Sequence, residues 1–298
     1  MKRADPAEIP IPELHGYLTG AIGPRPIALA STIDAEGRPN LSPFSFFNAF
    51  GANPGVLVFS PARRGRDNTT KHSYHNVKAV PEVVINAVTY AMVQQVSVAS
   101  GEFPEGTNEF GKSGLTPVPS EKVRPFRVKE SPVQFECKVQ QVIETGTGGG
   151  AANLVVCEVV LVHVDEAVLG PDGKIDQRKI DLVGRMGGST YCRAHGDALF
   201  ELTQPNQHFG VGVDALPAAV RNSGVLTGND LGMLGSSLKV PDETAVNDYK
   251  LTELAELFIA MEDDAAGLQR ALHERARQLL AGGKREEAWK TLLAFNER

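Results

Sequence analysis

The sequence predicts a mainly β protein: a Greek-key antiparallel barrel with helical inserts, followed by an α-helical C-terminal extension. Three observations carry this. Short β-rich runs separated by turn signals fill the first two hundred or so residues, without the regular strand–helix alternation of a parallel α/β sheet. One of them, PVQFECKV at 132–139, alternates apolar and polar residues with the period of two that a half-buried strand requires. Past about residue 205 the texture changes, and apolar residues recur at three- and four-residue steps, which is helical spacing. The expected division is 1–204 for the barrel and 205–298 for the helical extension.

Taken in order, the chain opens with spaced prolines (Pro6, Pro10, Pro12), and PIALASTID at 26–34 reads as the first strand. AEGRPN at 35–40 supplies Gly37 and Pro39 for a turn into NLSPFSFFNAFGANP at 40–54, the most aromatic stretch of the chain. GVLVFSP at 55–61 and EVVINAV at 82–88 are further strands. Between them ARRGRDNTTKHSYHN at 62–76 has no apolar periodicity and reads as a loop leading into a short helix.

In the alternating run, Val133, Phe135, Cys137 and Val139 share one face. Gln140-Gln141 then breaks the phase before Val142 and Ile143, as a β-bulge does where a strand bends, so a bulge is expected there. NLVVCEVVLVHVDE at 153–166 is almost continuously apolar, which calls for cover on both faces by a helix or a second subunit. GTGGGAA at 146–152 offers G-x-G-x-x-A, yet it joins two strands and opens no helix, so a hairpin loop accounts for it better than a dinucleotide fingerprint.

In the extension, LPAAVRN reads as a short helix and VLTGNDLGMLGSS at 225–237 as irregular backbone. From Leu251 onward, Leu254, Leu257, Phe258, Met261, Leu268 and Leu272 mark one amphipathic helix broken at Gly282-Gly283. KREEAWKTLLAF then closes a helical hairpin.

A chain of 298 residues that is 42% hydrophobic can bury one substantial core and carry a second unit. A net charge of −6 argues against nucleic-acid binding through a basic face, so any phosphate site must be local. No run approaches the roughly 20 apolar residues of a membrane span, and the opening lacks the apolar core of a secretory signal. Cys137, Cys157 and Cys192 lie far apart with no C-x-x-C, which fits reduced thiols. A cytoplasmic protein without membrane attachment is the expectation.

The basic segment is the first candidate site, because Arg63, Arg64, Arg66 and Lys71 outnumber Asp67 there and Thr69, Thr70 and Ser73 add hydroxyls. A lysine, a few hydroxyls and helix N-terminal amides can together hold a phosphate dianion, although such a loop taken alone is more often a solvated surface. Here the aromatic stretch stands close by in sequence, with Ser45 and Asn48 among its four phenylalanines. Four rings alone would make a core strand, but a purely structural core seldom holds side chains that need polar partners. A flat polyaromatic ligand with a phosphate tail explains both halves.

Two other chemistries fare worse. His72 and His75 with Cys192 and His195 could offer four metal ligands, but nothing in the sequence brings the pairs together, and no metal is expected. No G-x-S-x-G elbow is present, and the serines beside glycines lack that context.

The motifs GPRPIALAST, NLSPFSFFN, VLVFS, KHSYHNV with EVVINAV, EFGKSGLTPVPS, SPVQFECKV, CEVVLVHVDE and LVGRMGGSTYCR occur in an order that resembles the flavin reductase-like, FMN-binding split-barrel proteins, often called the flavoredoxin family. The resemblance covers roughly residues 10 to 200. It implies an FMN-binding split β-barrel, a homodimer with flavin near the subunit interface, and reduction of bound FMN by NADH or NADPH. Position by position, Arg25, Ser31, Thr32, Ser45, Phe47 and Asn48 match the family's flavin-contacting segments, and Lys71 and Ser73 its lysine-x-hydroxyl phosphate motif.

His72 departs from the pattern, standing where many relatives carry an aspartate, and Thr69 or Thr70 can serve there as a donor. Arg185, Tyr191 and His195 lie in or just after the segment that in similar proteins approaches the cofactor from the far side, while His163 reads as structural. The implied activity is an FMN oxidoreductase passing hydride or electrons to a small-molecule or protein acceptor, with no particular catalytic side chain assigned. A non-catalytic flavin-binding electron-transfer or sensor module is the rival, and deazaflavin or haem are rival cofactors on the same fold.

Overall fold

The computed structural model describes residues 1–202 and 209–295. The chain divides into two compact units, Met1–Phe200 and Glu201–Arg298. The boundary expected at 204/205 lies outside the described residues.

The first unit contains helices α1 (Ile11–Ala21), α2 (His72–Ala79), α3 (Val93–Ala99) and α4 (Glu109–Ser113). Its strands are β1 (Ala28–Ile33), β2 (Pro39–Phe44), β3 (Phe47–Ala52), β4 (Gly55–Phe59), β5 (Glu82–Ala87), β6 (Pro117–Val118), β7 (Arg127–Val128), β8 (Val133–Glu144), β9 (Asn153–Val164), β10 (Val183–Arg185) and β11 (Tyr191–Arg193). Seven of these form one sheet in the order β2-β1-β5-β8-β9-β4-β3, every pairing antiparallel. The two end strands, β2 and β3, are consecutive in sequence and separated only by Ser45 and Phe46. That short link joins the sheet's two edge strands at one corner, and no ladder pairs β2 with β3 among the described residues.

Register explains why β1 is buried along its whole length. Alternate residues face opposite layers: Leu29 packs with Leu41, Met92, Val96 and Phe110 under α3 and α4, whereas Ala28 and Ala30 pack with Phe44, Phe59, Val77 and Cys157. The bulge expected near Gln140 is present, because Val139 pairs with Cys157 and Gln141 with Val156, leaving Gln140 without an opposite number. GTGGGAA is the loop between β8 and β9. Beyond Val159 the outward residues Val160 and Val162 of β9 are 37% and 45% exposed among the described residues.

Two buried carboxylates fix the long connection after α4. Glu136 on β8 accepts the backbone amides of Glu121, Lys122 and Val123 and pairs with His163 Nε2 at 2.7 Å. Glu82, on the adjacent β5, accepts the next amide, that of Arg124, at 2.8 Å. Burial works against ionisation of Glu136, but the Glu121 and Lys122 amides and the His163 ring outweigh it and hold the carboxyl below its ordinary range. His163 therefore packs as a structural partner on its strand.

The second unit is helical: α5 (Ala218–Arg221), α6 (Gly228–Gly235), α7 (Glu243–Glu253), α8 (Ala255–Ala260), α9 (Ala265–Ala281) and α10 (Arg285–Leu293). Two sequence expectations are corrected here. The Gly-rich run is not irregular, because Thr227 and Asp230 exchange hydrogen bonds in a capping box that starts α6. The single helix expected from Leu251 is interrupted, since Asp264 caps a new helix by accepting the Gly267 amide at 2.8 Å. Leu268, Leu272, Ala276 and Leu280 on α9 form the buried stripe. Trp289 is buried with Ala276 and Leu280 and donates its indole N–H to Ser237 Oγ at 2.9 Å.

Candidate functional site

The basic segment and α2 build a cationic cleft. Lys71 is the N-cap of α2 in extended conformation and no side chain caps that end; the Tyr74 amide donates to the Lys71 carbonyl, which leaves the His72 and Ser73 amides to face an anion. Asn40, Ser42, Arg64, Lys71, His72 and Ser73 line the cleft, together with Ser100, Glu102 and Glu109. Thr32 Oγ1 accepts from Asn40 and Asn76, and Asn40 also donates to Ser73 Oγ at 2.9 Å. This buried network fixes the start of α2 against β1 and β2.

The cleft already holds an anion of the chain's own. Glu102 sits 3.1 Å from Arg64 Nε and 3.6 Å from Lys71 Nζ, and it also pairs with Arg66. Burial pulls the Lys71 ammonium below its ordinary value and the neighbouring Arg64 adds to this, while Glu102 partly offsets both. The donor set thus fits a phosphate: it binds a carboxylate where a dianion would neutralise more of the charge. Little free space, about 20 Å³, remains beside Glu102, so an incoming phosphate must take its place.

A second cleft of about 100 Å³ is lined by Ile27, Pro43, Ser45, Ser97, Arg185 and Tyr191, with Ser100 again on its wall. Ser100, the C-cap of α3, therefore joins the cationic end to a more apolar end. Arg185 Nη1 donates to Tyr191 Oη at 2.5 Å across the β10–β11 hairpin, and its guanidinium lies 4.7 Å from that ring's centre.

The sequence-derived candidates distribute unevenly. Lys71 and Ser73 meet in the first cleft, and Ser45, Arg185 and Tyr191 in the second. Thr70 is engaged with His75 Nε2 at 2.6 Å. Arg25 is buried, and its guanidinium donates to the carbonyls of Thr19, Ile22 and Met186, tying α1 to the end of the β10 segment. Ser31 is fully buried with a hydroxyl that has no partner among the described residues, and Thr32 serves the α2 network. Phe47 packs toward the barrel core, while Asn48 is exposed on β3 and accepts from the Ala49 amide.

His195 stands apart from Arg185 and Tyr191, with Nδ1 3.7 Å from Asp181. Among the described residues no group of three His, Cys, Asp or Glu side chains stands together as metal ligands. Glu102, Glu109 and Ser100 went unrecognised in the sequence. None has a spacing relation to Lys71 that a strand or helix period would reveal.

The class of protein is thus a split antiparallel barrel whose first helix after β4 opens onto a cationic, hydroxyl-lined cleft. The flavin reductase like domain matches residues 22–179, and the chain belongs to that flavin-binding family. An uncharacterized protein of Halalkalibacterium halodurans is 35% identical over 205 residues, spanning 68% of this chain and 96% of the relative.

Component B of nitrilotriacetate monooxygenase from Bacillus cereus superposes with a TM-score of 0.63 at 28% identity, covering 68% of this chain and 98% of that one. The split barrel domain of a Shewanella frigidimarina protein gives 0.56 at 26% identity, covering 66% and 95%. The fold is that of the split-barrel flavin reductases and flavoredoxins, with helical inserts and C-terminal helices added.

Proposed function

We propose that the chain is an NADH- or NADPH-dependent FMN oxidoreductase that passes hydride or electrons to a small-molecule or protein acceptor. The observation that carries this is the pair of clefts sharing Ser100, one cationic and one apolar, which suits a phosphate at one end and a flat ring at the other. Bound there, FMN supplies the redox chemistry, accepting hydride and releasing electrons.

The protein's own work is binding and positioning. Lys71, Arg64 and the first-turn amides of α2 hold the phosphate, with Glu102 turned out of the way. Ser45 offers a hydroxyl to the ring edge. Arg185 and Tyr191 orient the nicotinamide donor, whose reacting carbon must approach to about 3–3.5 Å. Likeness to a monooxygenase component favours an acceptor that is itself a partner enzyme.

A second copy of the chain is the proposed cover for β9 and β3, where Val160, Val162 and Phe50 lie exposed. Cytoplasmic residence accords with the three free cysteines. No described helix is long and apolar enough to cross a membrane.

The test is the visible spectrum of the purified protein before and after anaerobic NADH or NADPH. A yellow protein that bleaches within seconds supports the proposal, and a colourless one that takes up no added FMN refutes it. Bound flavin that neither nicotinamide bleaches would favour the electron-transfer or sensor module.

A further inference from the structure

The helical unit carries a candidate site of its own. α9 presents Ala266, Gln269, Arg270 and His273 at three- and four-residue steps, so the four share one face of the helix. That face forms one wall of an open cleft of about 1090 Å³, comparable to the upper end of the range of about 300–1,000 Å³ that small-molecule sites occupy. Val225, Leu292, Leu293 and Phe295 supply apolar walls. Among the described residues no carboxylate lines the cleft, although the chain as a whole carries a net charge of −6.

His273 is 6% exposed, and its bonding fixes where its proton lies. Ser223, just after α5, accepts the amides of Val225 and Leu226 on its Oγ, both at 3.1 Å. Those two bonds occupy the hydroxyl's lone pairs, so its hydrogen goes to His273 Nδ1, 2.7 Å away. Burial holds the imidazole below its ordinary pKa and hence neutral, which places the ring's own proton on Nε2. That N–H meets no acceptor among the described residues, and a buried donor without one is costly, so it calls for an acceptor from outside the chain.

One turn earlier on α9, Arg270 is paired with Glu274 through Nε at 3.1 Å, and among the described residues its two terminal nitrogens have no partner. Side chains three residues apart on a helix stand about 5–6 Å from each other at Cβ. A neutral N–H and a guanidinium so placed suit a carboxylate, which can offer one oxygen to each, and the apolar walls suit a hydrocarbon body.

We propose that this cleft binds a small carboxylic acid with an apolar body, its carboxylate received by His273 Nε2–H and Arg270 and its body lying against Val225, Leu293 and Phe295. The cleft shares no lining residue with either flavin cleft, so each site stands or falls without the other.

The full-length protein is titrated calorimetrically with octanoate, 1-octanol and acetate, and Trp289 emission is followed in parallel. Trp289 packs with Leu292 and Leu293 and is the chain's only tryptophan, so it reports on this unit. Octanoate is expected to shift that emission and to bind about tenfold or more tighter than either 1-octanol or acetate. Arg270→Gln, at an exposed position, should weaken octanoate about tenfold and leave 1-octanol unchanged. His273→Asn, which keeps an acceptor for Ser223 and drops the Nε2 donor, should weaken octanoate in the same way. Binding of 1-octanol as tight as that of octanoate, or octanoate affinity that Arg270→Gln leaves unchanged, would overturn the proposal. Absence of octanoate binding at millimolar concentration would overturn it as well.

Discussion

Lys71 Nζ lies 3.6 Å from Glu102 Oε1, so the cation that fits a cofactor phosphate is matched in this structure by a carboxylate of the chain. Burial opposes ionisation of Glu102, but Arg66 and Arg64 hold its carboxyl below the ordinary range, and it stays charged at neutral pH. Glu102→Gln is therefore expected to raise FMN affinity several-fold by removing the competing charge. Lys71→Ala should lower it by about tenfold or more. Fluorescence titration of FMN measures both, and unchanged affinity in Lys71→Ala would refute the phosphate assignment.

Arg185 and Tyr191 should matter for the donor more than for the flavin. Their mutual hydrogen bond closes the β10–β11 hairpin over the second cleft, away from Lys71 and Ser73. Arg185→Ala is expected to slow anaerobic reduction by NADH or NADPH by about tenfold while changing FMN affinity little. Stopped-flow absorbance at saturating FMN separates the two effects.

Glu136 should set the acid limit of stability. Its carboxyl is depressed in the folded state, so its contribution is fully present above the ordinary carboxylate range and is lost as pH falls through the depressed value. Unfolding is expected to become easier below about pH 4. Glu136→Gln should cost about 2–4 kcal/mol at pH 7, because the fully buried carboxylate is the charged acceptor of three successive backbone amides. Urea melts across pH for both proteins check this, and a variant with wild-type stability at pH 7 would contradict it.

The capping box at Thr227 offers a local test in the second unit. Thr227→Ala should cost about 1 kcal/mol. Trp289 is the chain's only tryptophan and is buried in that unit, so its fluorescence melt reports on these helices in particular.

Much of the barrel was legible because its signals are local. Alternation from Val133 to Val139 and the phase break at Gln140 gave β8 and its bulge, since side-chain direction along a strand depends only on neighbouring residues. The short helix expected after the basic loop is α2, although that segment has no apolar periodicity to place its start at His72. The Gly-rich appearance of 225–237 hid α6, although the threonine and aspartate three residues apart carried its start signal. What stayed hidden depends on contacts distant in sequence. Arg25 matched a flavin-contacting segment, yet its guanidinium meets three backbone carbonyls, one of them beyond residue 180. Glu102 reaches Lys71 only because the loop after α3 folds back over α2, and no periodicity encodes that.

Ser100 stands where the two clefts meet, at the tip of a three-element corner made by α3, β2 and the basic loop. A small displacement of that tip would loosen the grip on the cofactor's tail and widen the doorway at its ring in one stroke. On the proposed reading, retention of the cofactor and the speed with which it is reached are linked at Ser100, and a substitution at that one position is expected to be felt in both.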